Sequence, residues 1–120
     1  MLVGPAAHRS LLTRYLEAFD AGDMARAASF FAAEGEYLRN AALPGESGVQ
    51  RYVGRRQILA AFERRGRRDT RHVLEVVLSD ASRCLARGAL VRPDRSGLFL
   101  VDVSFDREGR IDRYVAATVG

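Results

Sequence analysis

Only a few side chains in this 120-residue chain combine a proton-moving or charge-holding group with an apolar setting. His72 is the first. It sits in a run from Arg71 to Ser79 where His72, Leu74, Val76 and Leu78 alternate with Val73, Glu75 and Val77, so the imidazole shares the apolar face of a strand. Imidazole exchanges a proton near neutrality, which suits general acid-base work, and a hydrogen-bonded core histidine carries the same signature. Tyr15 and Tyr114 fall on amphipathic faces, where a hydroxyl can enter a cavity or a ring can simply pack. Tyr37 and Arg39 share one face of a short strand, and Arg39 is placed to clamp a ligand carboxylate or enolate, or to pair with Asp102 or Glu36. Asp102 is a carboxylate on the face opposite Phe99, Val101, Val103 and Phe105, so it reaches an interior only through a bulge. Cys84 alternates with Ala86, Gly88 and Leu90 on a face of small residues that suits a concave wall, and no motif marks it as a nucleophile. His8 and His72 have no second ligand at metal-site spacing, so neither a metal nor a cofactor is expected.

Two helices and a sheet must position these groups. Leu12, Tyr15, Leu16 and Phe19 recur at three- and four-residue spacing and form one stripe, with Ser10 as a candidate N-cap. Asp20 to Asp23 ends that helix, because Gly22 accepts a left-handed cap and Asp23 caps the next helix, which buries Met24, Ala27, Phe30 and Phe31. A short strand from Gly35 to Asn40, a loop from Pro44 to Gly48, a brief strand from Val49 to Val53 and a third helix from Arg55 to Arg65 follow. From Arg71 the period becomes two through four strands joined by short turns, which must be antiparallel. The expected fold is α+β, in the order α-α-β-β-α-β-β-β-β: a curved, mostly antiparallel sheet wrapped around three helices, with a central cavity between them.

The chain is expected to form a single domain over residues 1–120, with residues 1–8 flexible. No stretch has the make-up of a signal peptide or membrane span, so a cytoplasmic protein is expected, without membrane contact. Net charge is +4, and all nineteen basic residues are arginine. Five of them crowd between Arg64 and Arg71, around the helix end at Gly66. There they complement the helix dipole in water, and the lack of interleaved aromatics argues against nucleic acid.

The segments Tyr15 to Asp23, Phe30 to Glu36, Gly54 to Ile58 and Phe105 to Ile111 resemble, in order and separation, the nuclear transport factor 2-like superfamily and its SnoaL-like and ketosteroid-isomerase-like proteins. The resemblance covers nearly the whole chain and implies the cone-shaped fold, which hosts isomerases, cyclases, epoxide hydrolases, dehydratases and binding modules. It implies Tyr15 as an oxyanion donor and sets Asp102 against a protonated aspartic acid. The base position of ketosteroid isomerases falls on Arg39, whose guanidinium stays charged. The two carboxylates of limonene-type epoxide hydrolases are missing, one from an Arg-x-Asp pair that here reads Arg83-Cys84-Leu85 and one near Ala116 on the last strand. A SnoaL-like cyclase asks only for a shaped apolar cavity and one acid-base group, for which His72 or Asp102 would serve.

Two functions follow as expectations. One is proton transfer on a small apolar or aromatic carbonyl metabolite, as an isomerase, cyclase or dehydratase, with Tyr15, His72 and Asp102 catalytic and Phe19, Tyr37, Arg39, Cys84 and Tyr114 binding ligand. The other is a non-catalytic binding or association module whose cavity is closed by Phe19, Phe31 and Leu90. Either version is expected to form a homodimer, through an outer strand face carrying Leu85, Ala89, Val91, Val73 and Val77.

Overall fold

A computed structural model describes residues 5–40 and 45–120; the Pro44 end of the expected loop and residues 1–4 of the expected flexible lead lie outside them. Helix α1 (Pro5–Asp20) buries Leu12, Tyr15, Leu16 and Phe19 on its predicted stripe. It starts five residues ahead of Ser10, and His8, expected in a flexible segment, is buried. Its ring stacks on Phe105 at 4.4 Å and its Nδ1 lies 2.8 Å from Ser79 Oγ, which draws the helix start onto the sheet. Gly22, at φ +81°, turns the chain, and the Asp23 carboxylate accepts from the Arg26 amide at the start of α2 (Met24–Ser29). Helix α3 (Arg55–Arg65) packs Ile58, Ala61 and Phe62 inward, and Gly66, at φ +70°, ends it.

Six strands form one sheet in the order β2-β1-β6-β5-β4-β3. They are β1 (Phe31–Asn40), β2 (Val49–Val53), β3 (Arg71–Ser79), β4 (Arg83–Val91), β5 (Ser96–Phe105) and β6 (Ile111–Val119). The strands β3 to β6 form the expected antiparallel meander, and β1 joins β6 in parallel, which makes the sheet mixed. That parallel pair sets Tyr37 beside Tyr114 and Arg39 beside Ala116.

Extra residues curve the sheet. Between Leu74 and Val76, Glu75 stands unmatched against β4, so the inward set on β3 changes from the predicted His72, Leu74, Val76 and Leu78 to His72, Leu74, Val77 and Ser79. Val76 and Leu78 are exposed as a result, and Val77 packs on the core instead of the outer face. Asp112 is the corresponding extra residue on β6, and both Ile111 and Tyr114 turn inward around it. No such break interrupts β5, where Phe99, Val101, Val103 and Phe105 all point in.

The core is aromatic. Phe31 and Phe62 are fully buried beside Tyr15, with Phe31 and Phe62 both about 6 Å from the Tyr15 ring and edge-on or tilted to it. Each buried phenylalanine contributes about 1.5–3 kcal/mol. Cys84 lies in this core, and burial pushes its thiol up to about 11, so it stays a protonated, unreactive packing group at neutral pH.

Gly88 is where β4 must come close to its neighbours: a Cβ there would meet the Val73 carbonyl oxygen at 2.2 Å and the Phe99 ring at 2.5 Å. Gly88→Ala is therefore expected to destabilise the fold by about 1–3 kcal/mol or more, measured by urea unfolding. Burial, opposed by Asp80, holds the His8 imidazole below its ordinary 6.5. The unfolded chain thus binds this proton more readily, so stability is intact above 6.5 and falls as pH drops below it. Melting temperature should fall more between about pH 7.5 and about pH 5.5 in the parent than in His8→Gln, and equal falls would remove His8 as the cause.

Candidate functional site

Between the helices and the concave face of the sheet lies a cavity of about 290 Å³, near the lower end of the roughly 300–1,000 Å³ usual for small-molecule pockets. Helix α1 contributes Tyr15, Leu16 and Phe19. Tyr37 and Arg39 come from β1, His72 from the start of β3, and Tyr114 from β6. These are six of the eight residues selected from the sequence: Tyr15, Phe19, Tyr37, Arg39, His72 and Tyr114 all line the cavity.

The other two do not. Asp102 stands on the outer face of β5, where its carboxylate takes two hydrogen bonds from Arg83, at 2.8 and 2.5 Å, and is held below the usual carboxylate range by them. The bulge that would have turned it inward occurs on β6, at Asp112, and leaves the alternation of β5 intact. Cys84 is packed behind the wall, in the core.

His72 is the best-anchored polar group of the site. Asp20, the last residue of α1, grips it twice: one carboxylate oxygen accepts from the His72 backbone amide at 2.7 Å, and the other lies 2.7 Å from Nδ1. The edge of the ring faces Phe99 at 5.0 Å and Phe19 at 6.1 Å. Nδ1 faces the carboxylate, and among the described residues Nε2 has no hydrogen-bond partner. The result is an imidazole oriented by a half-buried carboxylate.

Three tyrosines add hydroxyls to the lining. The Tyr15 and Tyr114 rings lie 5.2 Å apart and those of Tyr37 and Tyr114 5.6 Å apart. None of their hydroxyls makes a hydrogen bond among the described residues, and no polar side-chain atom there is both fully buried and unpartnered, so each hydroxyl opens onto the cavity. Burial holds all three phenols above their ordinary value, further raised at Tyr15 and Tyr114 by the neighbouring phenols and opposed at Tyr37 by Arg39 and Arg65. At neutral pH they are donors, the form that an oxyanion requires.

Arg39 reaches the cavity with its charge already matched. Its guanidinium donates to both Glu46 carboxylate oxygens, at 2.8 and 3.0 Å, and to the Tyr52 hydroxyl at 3.2 Å, and Glu46 holds it above its ordinary value. Neither Asp102 nor Glu36 is its partner; Glu36 instead pairs with Arg51. Two contributors were not selected from the sequence. Asp20 was read there as a helix terminator, although it lies one turn beyond Leu16 on the buried stripe. Arg65 was assigned to a solvated run, although it follows Ile58 and Phe62 on the inward face of α3 and lies over the Phe19 ring at 4.5 Å.

A second, wider cleft of about 850 Å³ runs along α1 and the start of β3 and meets the cavity at Leu16, Arg68, Thr70, His72 and Arg92. Its lining mixes these two arginines and Arg9, Arg67 and Arg71 with Glu17, Asp20 and Asp69. Among the described residues no cluster of histidine, cysteine and carboxylate side chains is arranged to hold a metal ion, and no helix is long and apolar enough to cross a membrane.

The architecture is shared with solved structures. A candidate ketosteroid isomerase from Kribbella flavida superposes with a TM-score of 0.75 at 18% identity, covering 100% of this chain and 83% of that one. A candidate isomerase of the SnoaL-like family from Agrobacterium tumefaciens gives 0.74 at 23% identity, covering 96% and 99%. A candidate polyketide cyclase from Xanthomonas campestris gives 0.69 at 18% identity, covering 94% and 90%. No curated protein matches the chain. These likenesses are of fold, and the sequence itself supplies the family: residues 12–114 match the SnoaL-like domain model, so the chain belongs to the SnoaL-like domain family.

Proposed function

We propose that this protein catalyses proton transfer on a small carbonyl compound bound in the cavity. The observation that carries this reading is the Asp20–His72 pair, with the free Nε2 at a cavity that three protonated tyrosine hydroxyls also face. His72 removes a proton from the carbon next to the carbonyl, and the electron pair moves onto the carbonyl oxygen. A tyrosine hydroxyl, Tyr15 first among them, donates to the resulting oxyanion, while Asp20 stabilises the imidazolium. Return of the proton to another carbon is an isomerisation, expulsion of a β-hydroxyl with that proton is a dehydration, and attack of the enolate on a second carbonyl is a cyclisation. Asp102 takes no part.

The alternative of a module closed by Phe19, Phe31 and Leu90 has less support. Phe19 and Leu90 line the cavity without filling it, and Phe31 is packed in the core.

The outer face of the sheet supports a homodimer. Cross-strand registers align Val73, Ala89, Leu98 and Val119 in one row, and Val76, Arg87, Leu100 and Ala117 in the next. Leu98, Leu100, Leu85 and Val119 are each more than 40% exposed, a contiguous apolar patch of the kind that an isologous contact covers.

With ketones selected by native mass spectrometry, exchange of the α-hydrogens in deuterated buffer reads out the proton transfer directly. His72→Ala is expected to slow it by about 100-fold or more and Asp20→Asn by less, and an unchanged rate in a correctly folded His72→Ala protein removes the proposal. For the dimer, sedimentation at micromolar concentration should give twice the chain mass in the parent and a monomer in Leu100→Glu; a monomeric parent excludes the contact.

A further inference from the structure

The charge lining the cavity has one sign. Arg65, Arg68, Arg92 and Arg95 stand along its wall, and among the described residues no aspartate or glutamate does. Arg39 is neutralised by Glu46, but none of these four forms an ion pair among the described residues. Arg65 is the telling one. It is half-buried, its one hydrogen bond among the described residues is a long one of 3.4 Å to the Gly66 carbonyl, and burial together with Arg68 holds its guanidinium below the ordinary value, opposed in part by Asp20. Asp20 acts on it only through space, because both its oxygens are committed to His72. A guanidinium partly withdrawn from water without an ion-pair partner carries a desolvation cost that a bound anion reduces.

We propose that the substrate is a carbonyl compound that also bears a carboxylate. Arg65 receives the carboxylate with Arg68, Arg92 and Arg95 at the cavity mouth, while the carbonyl lies toward His72 and the tyrosines. This rests on the reading of the cavity as a small-molecule site. A carboxylate matches the guanidinium fork with two oxygens, and it fits better than a phosphate because the wall around Arg65 is the C-terminal end of α3, whose partial negative charge tolerates one negative charge better than two. An arginine serving only to complement that helix end would support stability and show no preference among ligands.

Calorimetric titration with 4-acetylbenzoate and phenylpyruvate, each against its uncharged amide, tests this on the parent protein without any substitution. The acids are expected to bind at least about tenfold tighter than the amides, with affinity falling as salt is raised. In Arg65→Gln, checked for folding by circular dichroism, the preference should disappear while the amides bind as before; Arg65→Lys should restore part of it. Equal binding of acid and amide overturns the carboxylate proposal and leaves the cavity reading standing. A preference that survives in Arg65→Gln overturns the role of Arg65, and binding of none of the four compounds overturns both readings.

Discussion

The carboxylate of Asp20 is the clasp between the helical layer and the sheet. It ends α1, takes the first free amide of β3 and fixes the His72 ring, all with two oxygens. If α1 were displaced by a fraction of a turn, the strand would lose an amide partner and the imidazole its orientation together. The position of the helix and the orientation of the imidazole are therefore one variable. The depth of the cavity follows as well, because Leu16 and Phe19 ride on the same turn of the helix and form its roof.

The sheet answers this clasp by curving. Small residues on the concave face of β4, Gly88 above all, let Phe99 and the Val73 backbone approach where a larger side chain would hold them off. The parallel pairing of β1 with β6 then brings Tyr37 against Tyr114, and the Tyr15 ring meets Tyr114 from the helical side. Three phenols from three elements thus share one small volume, where burial above all keeps them protonated and repulsion between neighbouring phenolates adds to it at Tyr15 and Tyr114.

Local periodicity carried much of this before any coordinates. The bounds of α3, the capping role of Asp23 and the inward faces of β4 and β5 follow from spacing, while the choice of six cavity-lining residues draws on spacing together with the family resemblance, which points to Arg39. What spacing does not carry is of two kinds. An unmatched residue such as Glu75 or Asp112 has no signature in a two-residue period, so Val76 and Val77, beyond Glu75, exchange faces, while Tyr114, beyond Asp112, keeps its place in the cavity. Partners distant in sequence are the other kind. The pairing of β1 with β6, Asp20 with His72 and His8 with Ser79 is set by tertiary packing, and nothing local marks which partner each takes. Charge also misled: Arg65 belongs by composition to a solvated run and by helical phase to the cavity wall.

The two unmatched residues have a consequence for chain length. Removing Asp112 would bring Ile111, Arg113 and Tyr114 into plain in-out-in alternation, and removing Glu75 would do the same for Leu74, Val76 and Val77. At almost any other strand position a one-residue loss turns the remainder of the strand inside out. At these two it leaves every side chain on its present face and alters only the bend of the sheet. Length variation tolerated there would reshape the cavity while keeping the side chains that line it, a route by which one set of lining groups is fitted to ligands of different outline.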